Sequence, residues 1–143
     1  MTKPATVQCP FPLGGPAAKG NASVFTVRPA DRAEFLAGDH TRLTEILHPV
    51  KHQLKLGYSL AHGTLAPGQR SKWHVLHSSE VYYFLAGQGR FMIDDEVTSV
   101  EAGTTLYVPP GGKQSLENTG SQNIEFLCLV DPAWKIEDER ILE

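Results

Sequence analysis

The amino-acid sequence reads as an all-β barrel or sandwich. From Tyr58 onward it carries a series of strand-length runs rich in Val, Ile, Leu, Tyr and Phe, residues that fit a pleated, half-buried surface. Short clusters of Gly, Pro, Asn and Asp separate those runs at close spacing, which is how an antiparallel sandwich or barrel looks along a chain. A length of 143 residues suffices to bury one core without disulfide or metal staples.

Residues 1–20 hold Pro4, Pro10, Pro12 and Pro16 with Gly14, Gly15 and Gly20, too many breakers for regular structure. They are expected to form an irregular arm ahead of a single barrel domain at 21–143. Val24 to Val27 reads as a short strand, and Pro29 to Leu36 as one or two helical turns ending near Gly38. Thr41 to His48 fits a strand or a short helix equally. The strand runs that follow are Tyr58 to Leu65, Glu80 to Leu85, Arg90 to Ile93, Val97 to Val100, Thr104 to Val108, Gln114 to Glu117 and Asn123 to Val130. Between them, Gly68, Gly87, Gly89 and Gly103 stand where a positive φ is often demanded, and Pro109-Pro110-Gly111-Gly112 withholds ladder donors and forces a corner. The charged tail from Lys135 to Glu143 is expected on the surface, as a strand end or a short helix.

A formal net charge of −3 with no basic cluster excludes a nucleic-acid footprint. No apolar run approaches the length of a membrane span, and the N-terminal residues lack the apolar core of a signal peptide, so no membrane partner and a cytoplasmic location are expected. Cys9 in the Pro-rich leader and Cys128 in an apolar run suit free thiols better than a disulfide framework. The leader has no core of its own to bury and sheet edges need covering, so a homodimer is expected, with the segment before Tyr58 in the contact.

Two segments carry the chemistry: GQRSKWHVLHSSEVYYFLAG from Gly68 to Gly87, and GTTLYVPPGGKQSLEN from Gly103 to Asn118. Together they resemble the two signature motifs of the cupin superfamily, small double-stranded β-helix (jelly-roll) barrels that usually hold one metal ion inside. The first motif, G-x5-H-x-H-x3-4-E-x6-G, is met at Gly68, His74, Glu80 and Gly87. The second, G-x5-P-x-G-x2-H-x3-N, is met at Gly103, Pro109, Gly111 and Asn118. Leu76 stands where the first motif has its second His, and Gln114 where the second motif has its His.

Alternation along a strand places His74 and Leu76 on one face, looking into the barrel, while Val75 and His77 look out. The metal set that the resemblance implies is therefore His74, Glu80 and Gln114, one nitrogen and two oxygen donors. That composition suits a divalent Fe, Mn or Zn ion better than copper. His62, in the middle of its strand, is the candidate for a further ligand, with His48, His77 and Tyr82 behind it. Taken alone, His62 is more readily a hydrogen-bonded core histidine, His40, His48 and His52 loop residues, and His74 with Glu80 a structural pair that needs no ion. Tyr82, Phe84, Phe91, Met92, Phe126 and Trp134 would wall a pocket for a small-molecule ligand, or simply fill a barrel core. Cys128 reads as a buried, inert thiol.

Besides a purely structural dimerising protein, two functions from different classes follow from the resemblance. One is a metal-dependent enzyme of the dioxygenase, isomerase, decarboxylase or lyase type, with His62 or Tyr82 as candidate catalytic acid or base. The other is a non-catalytic binding or sensing barrel that has lost its metal.

Overall fold

The computed structural model describes residues 24–143. The expected arm at 1–20 lies outside the described residues. Eleven strands make two antiparallel sheets packed face to face: β1 (Phe35–Leu36), β2 (Arg42–Leu47), β3 (Ser59–Leu65), β4 (His74–Leu76), β5 (Ser79–Ala86), β6 (Gln88–Ile93), β7 (Glu96–Glu101), β8 (Thr105–Val108), β9 (Gln114–Asn118), β10 (Ile124–Asp131) and β11 (Glu139–Ile141). One sheet runs β1-β2-β3-β10-β5-β8 and the other β11-β4-β9-β6-β7. This is the jelly-roll barrel that the strand pattern and the paired motifs imply.

Each strand run expected from Tyr58 onward is a strand, with ends displaced by one or two residues. Thr41 to His48, open between strand and helix, resolves as β2, which pairs with β3. Val24 to Val27 is not a strand, and the expected helix at Pro29 to Leu36 is a 3₁₀ turn at Pro29–Asp31 followed by β1. The reason is burial: residues 28–36 are all exposed, so a helix there would have no apolar face to cover. The tail splits into a 3₁₀ turn at Ile136–Asp138 and β11, which pairs with β4.

Two glycines show different reasons for lacking a side chain. Gly87 joins β5 to β6 with a φ of 82°, a left-handed conformation that other residues adopt at a cost. Gly89, expected in a turn, lies instead within β6, where a Cβ would run into the carbonyl of Glu117.

Inward-facing side chains alternate along the strands and meet between the sheets. Tyr82, Phe84, Phe91 and Phe126 form an aromatic cluster, with the Tyr82 ring 5.0 Å from Phe91 and 5.3 Å from Phe126. Ile124, Val100, Val108 and Leu116 belong to the same buried core. A cavity lies beside it between the sheets.

Candidate ligand-binding site

The cavity measures about 430 Å³ and lies between the two sheets. His74 and Leu76 reach it from β4, Glu80 and Tyr82 from β5, Gln114 from β9 and Cys128 from β10. All six are buried. The alternation expected for the His74 strand holds, since Val75 is half-buried and His77 is exposed.

Glu80, Tyr82, Gln114 and Cys128 form one hydrogen-bonded cluster that bridges the sheets, with His74 and Leu76 beside it. Gln114 Nε2 donates to Glu80 Oε2. Tyr82 Oη lies 3.0 Å from Gln114 Oε1 and 3.3 Å from Glu80 Oε1. The Cys128 thiol donates to Glu80 Oε1 at 3.5 Å. A phenol has one proton, so Tyr82 donates to one of the two oxygens at a time. Burial pushes the Glu80 carboxyl above its ordinary range, while His74 and the donors from Gln114, Cys128 and Tyr82 pull it back. Burial, and then the nearby Glu80, also hold the Tyr82 phenol and the Cys128 thiol well above their usual values. Cys128 is thus the inert thiol expected of it.

His74 is oriented from behind. Its Nδ1 donates to the Lys72 carbonyl at 2.8 Å and lies 3.7 Å from Asp39 Oδ2. In the neutral ring this leaves Nε2 as the lone-pair nitrogen, with no hydrogen bond from the described residues. Asp39 is fixed in turn by the Thr41 amide at 3.0 Å and the Thr41 hydroxyl at 2.9 Å. His40 between them takes a φ of 71°, and the Lys72 amide donates to the Asp39 carbonyl at 2.7 Å. Asp39 is a site residue that sequence reasoning missed; the Asp-x-Thr spacing of a local side-chain turn was its one signal.

His62 does not join the cluster and does not line the cavity. Across the sheet Cys128 pairs with Ala61, whereas His62 pairs with Leu127, so parity turns His62 to the outer face. The expected further ligand and acid or base at His62 is therefore misplaced by one residue. His48 is also displaced from expectation: it is buried, and its Nε2 donates to the Trp134 carbonyl at 3.0 Å. Among the expected aromatic walls, Tyr82, Phe91, Phe126 and Trp134 line the cavity, while Phe84 and Met92 do not.

The donors present do not fit a resident divalent ion as they stand. One imidazole faces the cavity, Leu76 closes the place of a second, and Glu80 and Gln114 spend their polar atoms on each other and on Tyr82. No group of three His, Cys, Asp or Glu side chains with metal-binding geometry occurs among the described residues. No helix among them is long and apolar enough to cross a membrane.

Comparison with known proteins agrees with this architecture. Residues 61–130 match the cupin domain family. An uncharacterised protein of Methanocaldococcus jannaschii is 33% identical over 110 residues, 76% of this chain and 87% of that protein. The oxalate-binding protein of Thermotoga maritima is 35% identical over 67 residues, 46% of this chain and 55% of that protein. Among solved structures, a predicted oxalate decarboxylase from Thermotoga maritima superposes with a TM-score of 0.66 at 23% identity, covering 76% of this chain and 99% of that one. Two packed antiparallel sheets, the paired motifs carried on their facing strands, and these similarities together establish that the chain belongs to the cupin superfamily.

Proposed function

We propose that this cupin binds a small organic molecule in the cavity between its sheets. His74, Glu80, Tyr82 and Gln114 form the polar part of the lining, which recognises the ligand. The observation that carries this reading is a hydrogen-bonded cluster in the wall of an otherwise largely apolar cavity of about 430 Å³, within the size range of small-ligand pockets. Beside the cluster, Nε2 of a neutral His74 is an acceptor without a partner among the described residues, and Tyr82 is the candidate acid or base. A divalent Fe, Mn or Zn ion would need Gln114 to exchange Tyr82 for the metal, and the metal content of protein purified without chelator or a nickel column measures whether it does.

The test of the site is ligand binding in variants chosen by parity. His74→Ala should weaken binding of a cavity ligand, and His77→Ala should leave it unchanged because His77 is exposed on the opposite face. Equal losses in both would defeat the assignment. A homodimer with the segment before Tyr58 in its contact is supported by the exposed Val24 and Val50 in that segment. Light scattering that returns the monomer mass of 15.7 kDa would refute it.

A further inference from the structure

The charged residues around the cavity are of one sign. Among the described residues, Asp39, Glu45, Glu80 and Glu139 line it and neither Lys nor Arg does; His74 is the one described side chain of the lining that can carry positive charge. The nearby cations are turned elsewhere. Lys51 pairs with Glu45 at 2.7 Å without itself lining the cavity, Arg70 pairs with Glu143 at 2.9 Å, and Arg42 pairs with Glu34 at 3.0 Å. The remaining surface is made largely of Leu, Ile, Val, Phe and Trp side chains.

An anion placed here would lose its hydration, meet carboxyl groups, and find among the described residues no cation but His74, which already lies 3.7 Å from Asp39. A buried charge persists when it is paired, and an unpaired one costs more than the hydrogen bonds it gains. A two-carbon dianion such as oxalate carries that penalty twice. It is also small beside a space of about 430 Å³, so it would leave the apolar walls uncovered. The polar part of the lining itself points to the complementary group. Gln114, Tyr82, Glu80 and Cys128 are already hydrogen-bonded to one another, and in the neutral ring of His74 Nε2 is a lone-pair acceptor without a partner among the described residues.

Resting on the binding site proposed above, we infer that the cavity takes an uncharged, largely apolar ring molecule that presents a hydroxyl to His74, and that it rejects small carboxylates, oxalate included. The hydroxyl donates to Nε2 while the rings lie against Phe91, Phe126 and Trp134, which supply faces and edges for aromatic packing. The chain thus differs in ligand class from the relative whose name is oxalate-binding protein.

The experiment compares three probes on the full chain after treatment with EDTA, at pH 7, by calorimetry and by quenching of indole fluorescence. Trp134 lines the cavity, so Trp134→Phe identifies the signal that comes from it. The probes are 1-naphthol, its anionic counterpart 1-naphthoate, and oxalate. The expected result is saturable binding of 1-naphthol at least about tenfold tighter than 1-naphthoate, with no binding of oxalate at millimolar concentration. His74→Ala should weaken 1-naphthol about fivefold, the worth of one hydrogen bond. Binding of 1-naphthoate as tight as 1-naphthol, or saturable oxalate binding with or without added Mn²⁺, overturns the charge class. If that binding is lost in His74→Ala, the cavity site itself still stands. Failure of all three probes to bind overturns both the ligand class and the binding site.

Discussion

Replacing Gln114 by Leu tests the buried cluster most directly, because Gln114 is fully enclosed and both ends of its amide are engaged. The substitution keeps much of the volume and removes one donor to Glu80 and one acceptor from Tyr82. Two neutral hydrogen bonds at about 1 kcal/mol each put the cost near 1–2 kcal/mol when Glu80 is protonated in both the folded and unfolded chain. The cost should then grow with pH. Burial raises the folded Glu80 above its ordinary 4.5, so its contribution to stability is full below that value and declines as pH rises through the folded one. Gln114 is one of the groups restraining the rise, and removing it widens the window over which stability is lost. Every further tenfold weakening of the folded Glu80 as an acid adds about 1.4 kcal/mol to the cost at high pH. Urea unfolding of wild type and Gln114→Leu at pH 4.5 and pH 8, followed by tryptophan fluorescence, measures both values. A difference of about 2 kcal/mol moves the midpoint by about 1 M at the slopes usual for small domains. The reasoning fails if the cost is the same at both pH values, or if its pH dependence survives in a Glu80→Gln background.

Other outcomes follow from single contacts. Gly63→Ala should destabilise by about 1–3 kcal/mol through overpacking, because its Cβ would overlap the Phe126 ring, with Cε1 2.8 Å away. Adding Phe126→Leu should return part of that loss, and strictly additive thermal shifts would contradict the contact. Glu143 is held down to about 2 by the Arg70 guanidinium and the Trp73 amide, so its contribution to stability is present above 4.5 and is lost as pH falls through about 2. In Arg70→Gln, carboxyl NMR titration should find Glu143 nearer its ordinary value. Leu76→His combined with Gln114→His should create a site of three imidazoles and a carboxylate, visible as Zn²⁺-dependent thermal stabilisation that wild type lacks. A folded double variant with no such gain would mean that these positions do not converge.

The barrel was legible because its signals are local and redundant. Alternating apolar runs mark the strands, and Gly87 and Gly103 stand at turns with φ of 82° and 90°. The motif spacing likewise brought His74, Glu80 and Gln114 to one place, since each lies on a strand whose inward parity can be read from its neighbours. His62 shows where that reasoning breaks. Its strand alternates small and apolar residues on both faces, so nothing in the sequence distinguishes one parity from the other, and the decision rests on which residue of β10 lies opposite. Asp39 was invisible for a different reason: it reaches His74 from a loop distant in sequence, through a contact that only the fold creates. The lack of Lys and Arg among the described residues of the lining belongs to the same class, because the neighbours of a cavity are assembled from most of the strands at once.

The cluster straddles the sandwich: His74 and Gln114 belong to the five-stranded sheet, Glu80, Tyr82 and Cys128 to the six-stranded one. The bonds of Gln114 to Glu80 and Tyr82 therefore act as a rivet through two plates. Whatever prises the plates apart by about an ångström, whether heat, pressure or an oversized guest, parts the rivet while each sheet keeps its own ladder, since a hydrogen bond weakens steeply once its geometry is lost. If the cavity binds as proposed, recognition is a gauge of the gap between the sheets, and should fail on warming before backbone amides in the strands lose their protection from exchange.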